Sequence, residues 1–261
     1  MIDAKLLFDL SGTVAVITGA SRGIGRAIAE AMASAGAKVV VSSRKLDKCQ
    51  EVVDHITEHG GEAVAVACNI GHKDQLQGLV DQTLEKWGQI DTLVCNAAVN
   101  PYYGPLKDVP DDAYDKTMNS NVRSNVWLCN MVIPQMASRD GGSVIVISSV
   151  AALIGSATLG TYGLSKAADV ALIRNLAVEW GGDNVRANCI NPAIIRTDFA
   201  RALWENPEIY ARAIKNYPLK RIGEVEEIAG AAVFLASPAA NFMTGQMMVI
   251  DGGSTISPGD V

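Results

Sequence analysis

The sequence predicts an α/β fold: a doubly wound parallel sheet of about seven strands with helices on both faces, in one domain spanning residues 1–261. Three observations predict it. Short β-branched runs alternate with longer amphipathic segments along the whole chain. The runs lack polar alternation, as strands covered on both faces do. No internal repeat, low-complexity tract or linker divides the chain.

The elements follow in order. Residues 14–18 (Val-Ala-Val-Ile-Thr) read as a strand and 25–35 as a helix closed by Gly36. Residues 38–42 are a second strand, and 46–59 a helix closed by Gly60-Gly61. Residues 63–67 are a third strand, and 74–87 a helix closed by Gly88. A strand at 92–95, a helix within 111–136 and a strand at 143–147 come next. The helix 162–180 is closed by Gly181-Gly182; a strand at 186–190, a helix at 224–236 and a strand at 246–250 complete the chain. Glycine past the last helical turn supplies the left-handed closing position. Right-handed crossovers between parallel strands give the Rossmann-type winding.

Composition excludes several classes. With 49% hydrophobic and 19% charged residues the chain buries a large core. Lys and Arg number 22 against 28 Asp and Glu, a net charge of −6 without a basic block, so nucleic-acid binding has no electrostatic support. Cys49, Cys68, Cys95, Cys129 and Cys189 are widely spaced and form no C-x-x-C pair. No disulfide framework and no metal is therefore expected, and the compartment expected is the reducing cytoplasm. The first residues show no basic region followed by an apolar one, so no signal peptide is expected. Two uncharged stretches, 141–165 and 228–250, are read as buried interior rather than membrane spans. The first is rich in Gly, Ser and Thr, and Pro238 and Asn241 break the second.

The first strand runs into Thr18-Gly19-Ala20-Ser21-Arg22-Gly23-Ile24-Gly25. Glycines between a strand and a helix allow a tight turn and the approach of a pyrophosphate to the helix N-terminus. The same residues match a Gly-x-Ser-x-Gly nucleophile elbow. A hydrolase of that type needs a late His, and the last is His72. His55 and His59, one turn apart, resemble a metal pair without a third ligand. The second strand ends Ser42-Ser43-Arg44. This position meets the adenosine ribose, where an acid favours NAD and a base accepts the 2′-phosphate of NADP. Arg44, with Arg22, is read as reading that phosphate.

Tyr162-Gly-Leu-Ser-Lys166 puts a phenol and an ammonium on one helix face. The ammonium favours the phenolate, and such a tyrosine can exchange a proton with a carbonyl or alcohol. Tyr103-Gly-Pro-Leu-Lys107 has the same spacing, but Gly104-Pro105 prevents a helix. Ser148-Ser149 lies at the C-terminal end of a strand, where such sheets bind ligands.

On these residues the chain resembles the short-chain dehydrogenase/reductase family. The likeness runs from about Gly12 to Gly253. It includes Asn96-Ala-Ala98, Asn121-Val122, Ser149 thirteen residues before Tyr162, Asn191-Pro192-Ala193, Thr197 and Asp251-Gly-Gly253. The resemblance implies that Asn121, Ser149, Tyr162 and Lys166 form a catalytic tetrad. It also implies that Gly19, Ser21, Arg22, Gly23, Ile24, Gly25, Ser43, Arg44, Asn69, Ile70, Asn96, Ala97, Ala98, Pro192, Ile195 and Thr197 contact NADP(H), with Tyr162 and Lys166. Asn69 stands where the family usually has Asp, and Ala98 and Ala193 replace usual glycines. Val39-Val-Val-Ser-Ser-Arg-Lys45, Asn96-Ala-Ala-Val-Asn-Pro101 and Leu203-Trp204 resemble the family's NADPH-dependent carbonyl-reductase branch. That branch acts on ketones, aldehydes and retinal. Its animal members end in a peroxisomal tripeptide, whereas this chain ends Gly259-Asp-Val261.

The expected reaction is hydride transfer between NADPH and a carbonyl or secondary alcohol. Ser149 orients the oxygen, Tyr162 exchanges its proton, and Lys166 holds the nicotinamide ribose. Asn121 would hold a water linking Lys166 to solvent. A small-molecule substrate would meet Tyr102, Tyr103, Leu153, Ile154, Ile194, Phe199, Leu203 and Trp204, in part on a loop at 193–220. Two alternatives stay open. A 3-oxoacyl-[acyl-carrier-protein] reductase would need a basic dock, for which Arg123 and Arg174 are candidates. An inactive nucleotide-binding regulator would be expected to lose Tyr or Lys. The excess of apolar residues on 162–180, 224–236 and 246–250, with the family resemblance, leads to the expectation of a homotetramer.

Overall fold

The computed structural model describes residues 2–257, so the tripeptide Gly259-Asp-Val261 lies outside the described residues. After a short helix α1 (Ala4–Leu7), strand and helix alternate as β1 (Val14–Thr18), α2 (Gly23–Ser34), β2 (Lys38–Ser43), α3 (Leu46–Glu58), β3 (Glu62–Ala67), α4 (Lys73–Trp87) and β4 (Thr92–Cys95). Helices α5 (Asp111–Met118) and α6 (Ser124–Ala137) lead to β5 (Gly142–Ile147). Then come α7 (Gly160–Trp180), β6 (Val185–Pro192), α8 (Pro207–Ile214), α9 (Val225–Ala236) and β7 (Met247–Ile250).

The seven strands form one parallel sheet in the order β3-β2-β1-β4-β5-β6-β7. The chain winds outward from β1 to β3, crosses back to β4, then winds the other way to β7. The two directions part between β1 and β4, and a crevice opens at their C-terminal ends. Within β1, Ala15 and Ile17 enter the core on one face, and Val16 enters the core on the other. Val39 and Val41 of β2 join the first core, and Val40 joins the second. Alternate residues point to opposite faces and both faces are covered, which is why these strands read as unbroken apolar runs.

Helix closure differs from expectation at one place. Gly36, Gly60 and Gly88 have left-handed φ, as expected. Gly181 caps α7 as expected but at φ −63°, not left-handed, and the chain runs on into a tight turn, Gly181–Asp183. Asn184, at φ +57°, takes the left-handed position, and its amide donates to Asp140 O at 2.8 Å. Asn tolerates this conformation because its short polar side chain bonds locally. The predicted helix within 111–136 is two helices joined by a wide π-type turn, Asn119–Arg123. Helix α8 was not anticipated, although Asn206-Pro207 opens it: Asn206 Oδ1 accepts from Glu208 N at 2.9 Å and Ile209 N at 3.2 Å. Among the described residues no helix is long and apolar enough to cross a membrane.

Helix α9 begins with a capping box. Glu227 Oε2 accepts from Glu224 N at 2.8 Å, and the Arg221 guanidinium grips both its oxygens at 2.8 and 2.6 Å. The Arg221 bonds, with the Glu224 N–H, lower the Glu227 carboxyl from 4.5 to about 2. Its contribution to stability is present above the unfolded value and is lost as pH falls through the folded one. Glu227→Gln should therefore lower the melting temperature at neutral pH and converge with the parent towards pH ~2. The pair is largely solvated, so the loss is small. A melting difference that ignores pH would refute this account.

Candidate active site

At the end of β1 the chain turns through Gly19 (φ +66°) and Gly23 (φ +56°) to Gly25. A Cβ on Gly25 would stand 2.5 Å from both Asn96 Nδ2 and Gly19 O, and one on Gly19 would stand 2.9 Å from Asn96 Nδ2. No side chain fits at either position. Helix α2 starts at once, and its N-cap Arg22 makes no side-chain capping bond. An uncapped helix N-terminus approached over bare backbone fits the pyrophosphate of a dinucleotide. Ser21 and Ile24 are half-buried on the same turn.

Asn96 shapes this turn from the neighbouring strand. Its Nδ2 donates to Thr18 O at 2.8 Å and to Gly19 O at 3.2 Å. The backbone N–H groups of Asn96 and Ala97 donate to Thr18 Oγ1 at 3.0 and 3.2 Å. The Asn96 amide is thus engaged with the turn itself. Ala97 and Ala98 continue from β4, half-buried.

The second half of the site lies where β5 ends and α7 begins. Ser149 is extended; its Oγ accepts from Ala151 N at 3.1 Å, and its carbonyl accepts from Asn191 Nδ2 at 2.9 Å. Tyr162 and Lys166 sit one turn apart on α7, with Lys166 Nζ 5.7 Å from the Tyr162 ring centre. The Lys166 side chain is 3% exposed. Its ammonium donates to Ile147 O at 2.8 Å and to Asp169 Oδ2 at 3.1 Å. Burial pulls the lysine down, but the Asp169 carboxylate, together with Tyr162 and Cys95, raises Lys166 above its ordinary value. Burial also pushes the Asp169 carboxyl up, against the pull of Lys166.

Asn121 is fully buried in the wide turn before α6. Its Oδ1 accepts from Val99 N at 2.8 Å, and its Nδ2 donates to Val99 O at 2.9 Å and Ser165 Oγ at 3.0 Å. Ser165 Oγ in turn donates to Tyr162 O at 2.7 Å. The side chain therefore ties the loop after β4 to the first turn of α7.

Around this centre the remaining candidates separate. Arg44 is exposed just past β2, and among the described residues it has no ion-pair partner. Arg22 lies 3.9 Å from Asp198. The Ser43 hydroxyl is 3.1 Å from Cys49 Sγ. Asn69 shapes the turn after β3: its Oδ1 accepts from Gly71 N at 3.2 Å, and its backbone N–H donates to Gln75 Oε1 at 2.8 Å. Ile70 packs half-buried on the second core. Pro192 ends β6, Ile195 is buried and bridged to Gly223, and Thr197 Cγ2 would be 3.2 Å from a Cβ on Gly23. This segment therefore abuts the glycine turn.

The expected substrate residues do not form one wall. The Phe199 ring lies 6.5 Å from that of Tyr162. Tyr103, Leu153, Ile154 and Phe199 are exposed, whereas Ile194 and Leu203 are half-buried. Tyr102 folds back, its hydroxyl donating to Pro105 O at 3.1 Å. Trp204 faces elsewhere: its Nε1 donates to Thr197 O at 3.0 Å, and its ring packs on the Arg196 guanidinium at 5.3 Å. It lines a cleft with Thr197, with Gly23 and Arg26 of α2 and with Ala229 of α9, beside the glycine turn.

Two of the three look-alike motifs can be placed. Gly104 forms a bridge with Leu159, so Tyr103 and Lys107 share no helix. His55 and His59 meet at 4.4 Å, but His59 Nδ1 bonds to His55 O at 2.8 Å and His55 Nε2 lies 3.7 Å from Glu30. Among the described residues no three His, Cys, Asp or Glu side chains gather as a metal site. Sequence reasoning missed Asp169, Asn125 and Ser165, and gave Asn191 no role beyond the family likeness. For Asp169 a signal existed: a charge three residues after Lys166 in a mostly apolar helix.

Fold and site together define a dinucleotide-binding protein of the doubly wound class. Residues 19–255 match the family described as "Enoyl-(Acyl carrier protein) reductase". The Bos taurus protein "Dehydrogenase/reductase SDR family member 4" is 41% identical over 245 residues, covering 94% of this chain and 88% of the relative. A solved 7 alpha-hydroxysteroid dehydrogenase, complexed with NADH and 7-oxo glycochenodeoxycholic acid, superposes with a TM-score of 0.93 at 38% identity, covering 97% of this chain and 98% of that one. A gluconate 5-dehydrogenase from Burkholderia cenocepacia J2315, in complex with NADP and tartrate, superposes with a TM-score of 0.93 at 30% identity, covering 98% and 100%. The chain belongs to the short-chain dehydrogenase/reductase family, oxidoreductases that transfer hydride with a nicotinamide cofactor.

Proposed function

We propose that this protein is an NADPH-dependent carbonyl reductase of apolar ketones, diketones or aldehydes, working through Asn121, Ser149, Tyr162 and Lys166. The observation that carries the reading is the pairing of Tyr162 with the buried Lys166 ammonium, one turn apart on α7. The glycine turn and the uncapped start of α2 fit a dinucleotide's pyrophosphate. Arg44 and Arg22 would hold the 2′-phosphate, Asn69 and Ile70 the adenine side, and Ala97, Ala98, Pro192, Ile195 and Thr197 the nicotinamide side. Bound there, the cofactor would supply a hydride to the carbonyl carbon. Ser149 holds the carbonyl oxygen through its hydroxyl, and Tyr162 gives that oxygen a proton. Lys166 would hold the nicotinamide ribose. Asn121 keeps the loop after β4 fixed against α7. Alcohol oxidation uses the same groups in reverse.

Phe199, Tyr103, Leu153 and Ile154 offer exposed apolar surface, which supports an apolar substrate under a loop at 193–220. Assay of ketones, diketones, aldehydes and acetoacetyl thioesters with NADPH and NADH tests the reading. Turnover of simple carbonyls with NADPH preferred is expected. No turnover of any member with either nucleotide would overturn it, and preference for the thioester would favour the acyl-carrier reading.

The enzyme is further proposed to be a cytoplasmic homotetramer. On α7, Leu164, Ala167, Ala171 and Val178 are exposed along one face, with Val178 at 87%. A helix apolar beyond its core-facing stripe favours burial against a second copy. Light scattering should give four times the 27.5 kDa chain mass; a single chain mass would refute assembly.

A further inference from the structure

Helix α7 carries a carboxylate that an isolated helix on a sheet has no need to bury. Asp169 is 0% exposed, three residues after Lys166. Its Oδ2 accepts from Lys166 Nζ at 3.1 Å, and its Oδ1 accepts from Asn125 Nδ2 at 3.0 Å. The same Asn125 amide nitrogen donates to the backbone oxygen of Asn121 at 2.7 Å. Asn125 is 5% exposed and Asn121 is 0% exposed. A buried chain of hydrogen bonds thus runs from the Asn121 turn, across α6, to the Lys166 ammonium on α7.

An ammonium has three N–H groups. Ile147 O and Asp169 Oδ2 take two of them, on the interior side. With two bonds made, the tetrahedral nitrogen leaves its third N–H in one direction. Without the carboxylate, Ile147 O would be the only hydrogen-bond acceptor among the described residues, and burial would favour the neutral amine. We propose that Asp169 is the positioning residue for Lys166: its carboxylate, braced by Asn125, keeps the buried ammonium charged and leaves one oriented N–H for the reaction site. This rests on the reading of Tyr162 and Lys166 given under Proposed function.

The titratable groups facing the pair are Tyr162 on α7, Cys95 at the end of β4, Cys129 on α6 and Cys189 on β6, with Arg174 further along α7. The Cys129 thiol and burial together push Cys95 up, and burial pushes Cys189 to about 12. Those two thiols stay neutral at working pH, and no other carboxylate acts on the lysine among the described residues.

The test is Asp169→Asn, which keeps shape and removes charge. Reduction of the fastest carbonyl in the panel is followed with NADPH against pH. The alkaline limb of kcat/KM should move down by at least ~1 pH unit, because the unpaired ammonium sheds its proton earlier. A uniform fall with an unmoved limb would mean a packing role only and would overturn the proposal. A second readout needs no cofactor: the melting-temperature gap between parent and variant. It should narrow as pH rises from 7 towards ~10, where the variant's lysine becomes neutral; a constant gap would also overturn the proposal. Should Asp169→Asn fail to fold, Asn125→Ala carries both measurements, with shifts of the same sign and smaller size expected and an unmoved limb refuting. Tyr162→Phe is run alongside. If it keeps full turnover, the underlying reading falls and the proposal with it. If it loses turnover while the Asp169→Asn limb stays put, only the Asp169 role falls.

Discussion

Tyr162→Phe should fold, bind NADPH and lose carbonyl reduction by at least ~10²-fold, the scale of positioned proton transfer. The substitution removes one hydroxyl and keeps the ring, so the packing of Phe199 at 6.5 Å and the Lys166 ammonium at 5.7 Å from the ring centre are retained. The first turn of α7 is held through the Tyr162 backbone oxygen and Ser165, which the change leaves alone. Melting temperature and NADPH fluorescence titration should match the parent. Near-parental turnover would end the proton-donor assignment.

Arg44→Asp should weaken NADPH binding by more than ~1.5 kcal/mol, roughly tenfold, and NADH much less. Arg44 is exposed and, among the described residues, free of ion pairs, so its loss disturbs no internal network. The new carboxylate adds repulsion where a 2′-phosphate would sit. Arg22 does not replace it fully, because Asp198 stands 3.9 Å from its guanidinium. Equal losses for the two cofactors would refute a phosphate-reading role.

The sequence was most legible where one physical constraint acts on one segment. The unbroken apolar runs reveal two-sided burial, and the glycines of 19–25 leave room for Asn96 and Gly19 O that any Cβ would take. Tyr162 and Lys166 were legible because helical spacing puts them side by side and Ser148-Ser149 stands at the end of the strand before them. What stayed hidden depends on side chains meeting across elements. Nothing local says that Asn125 of α6 will reach Asp169 of α7, or that Asn191 of β6 will hold the Ser149 carbonyl. Nor does anything local say that Trp204 will stack on Arg196 and donate to Thr197 O. Asn184 escaped notice because two adjacent glycines offered an easier stop than the residue that takes the left-handed turn.

The five cysteines are all at most 2% exposed, and burial pushes Cys68 to about 11 and Cys189 to about 12. Alkylation needs both an accessible sulfur and a thiolate. Reagents such as iodoacetamide at neutral pH should therefore leave the native protein unmodified and record only the moments when it opens. The sulfurs are spread from α3 and the end of β3, through β4 and α6, to β6, so they sample the sheet from one side to the other. The order in which they take up label under rising denaturant would chart which part of the molecule opens first.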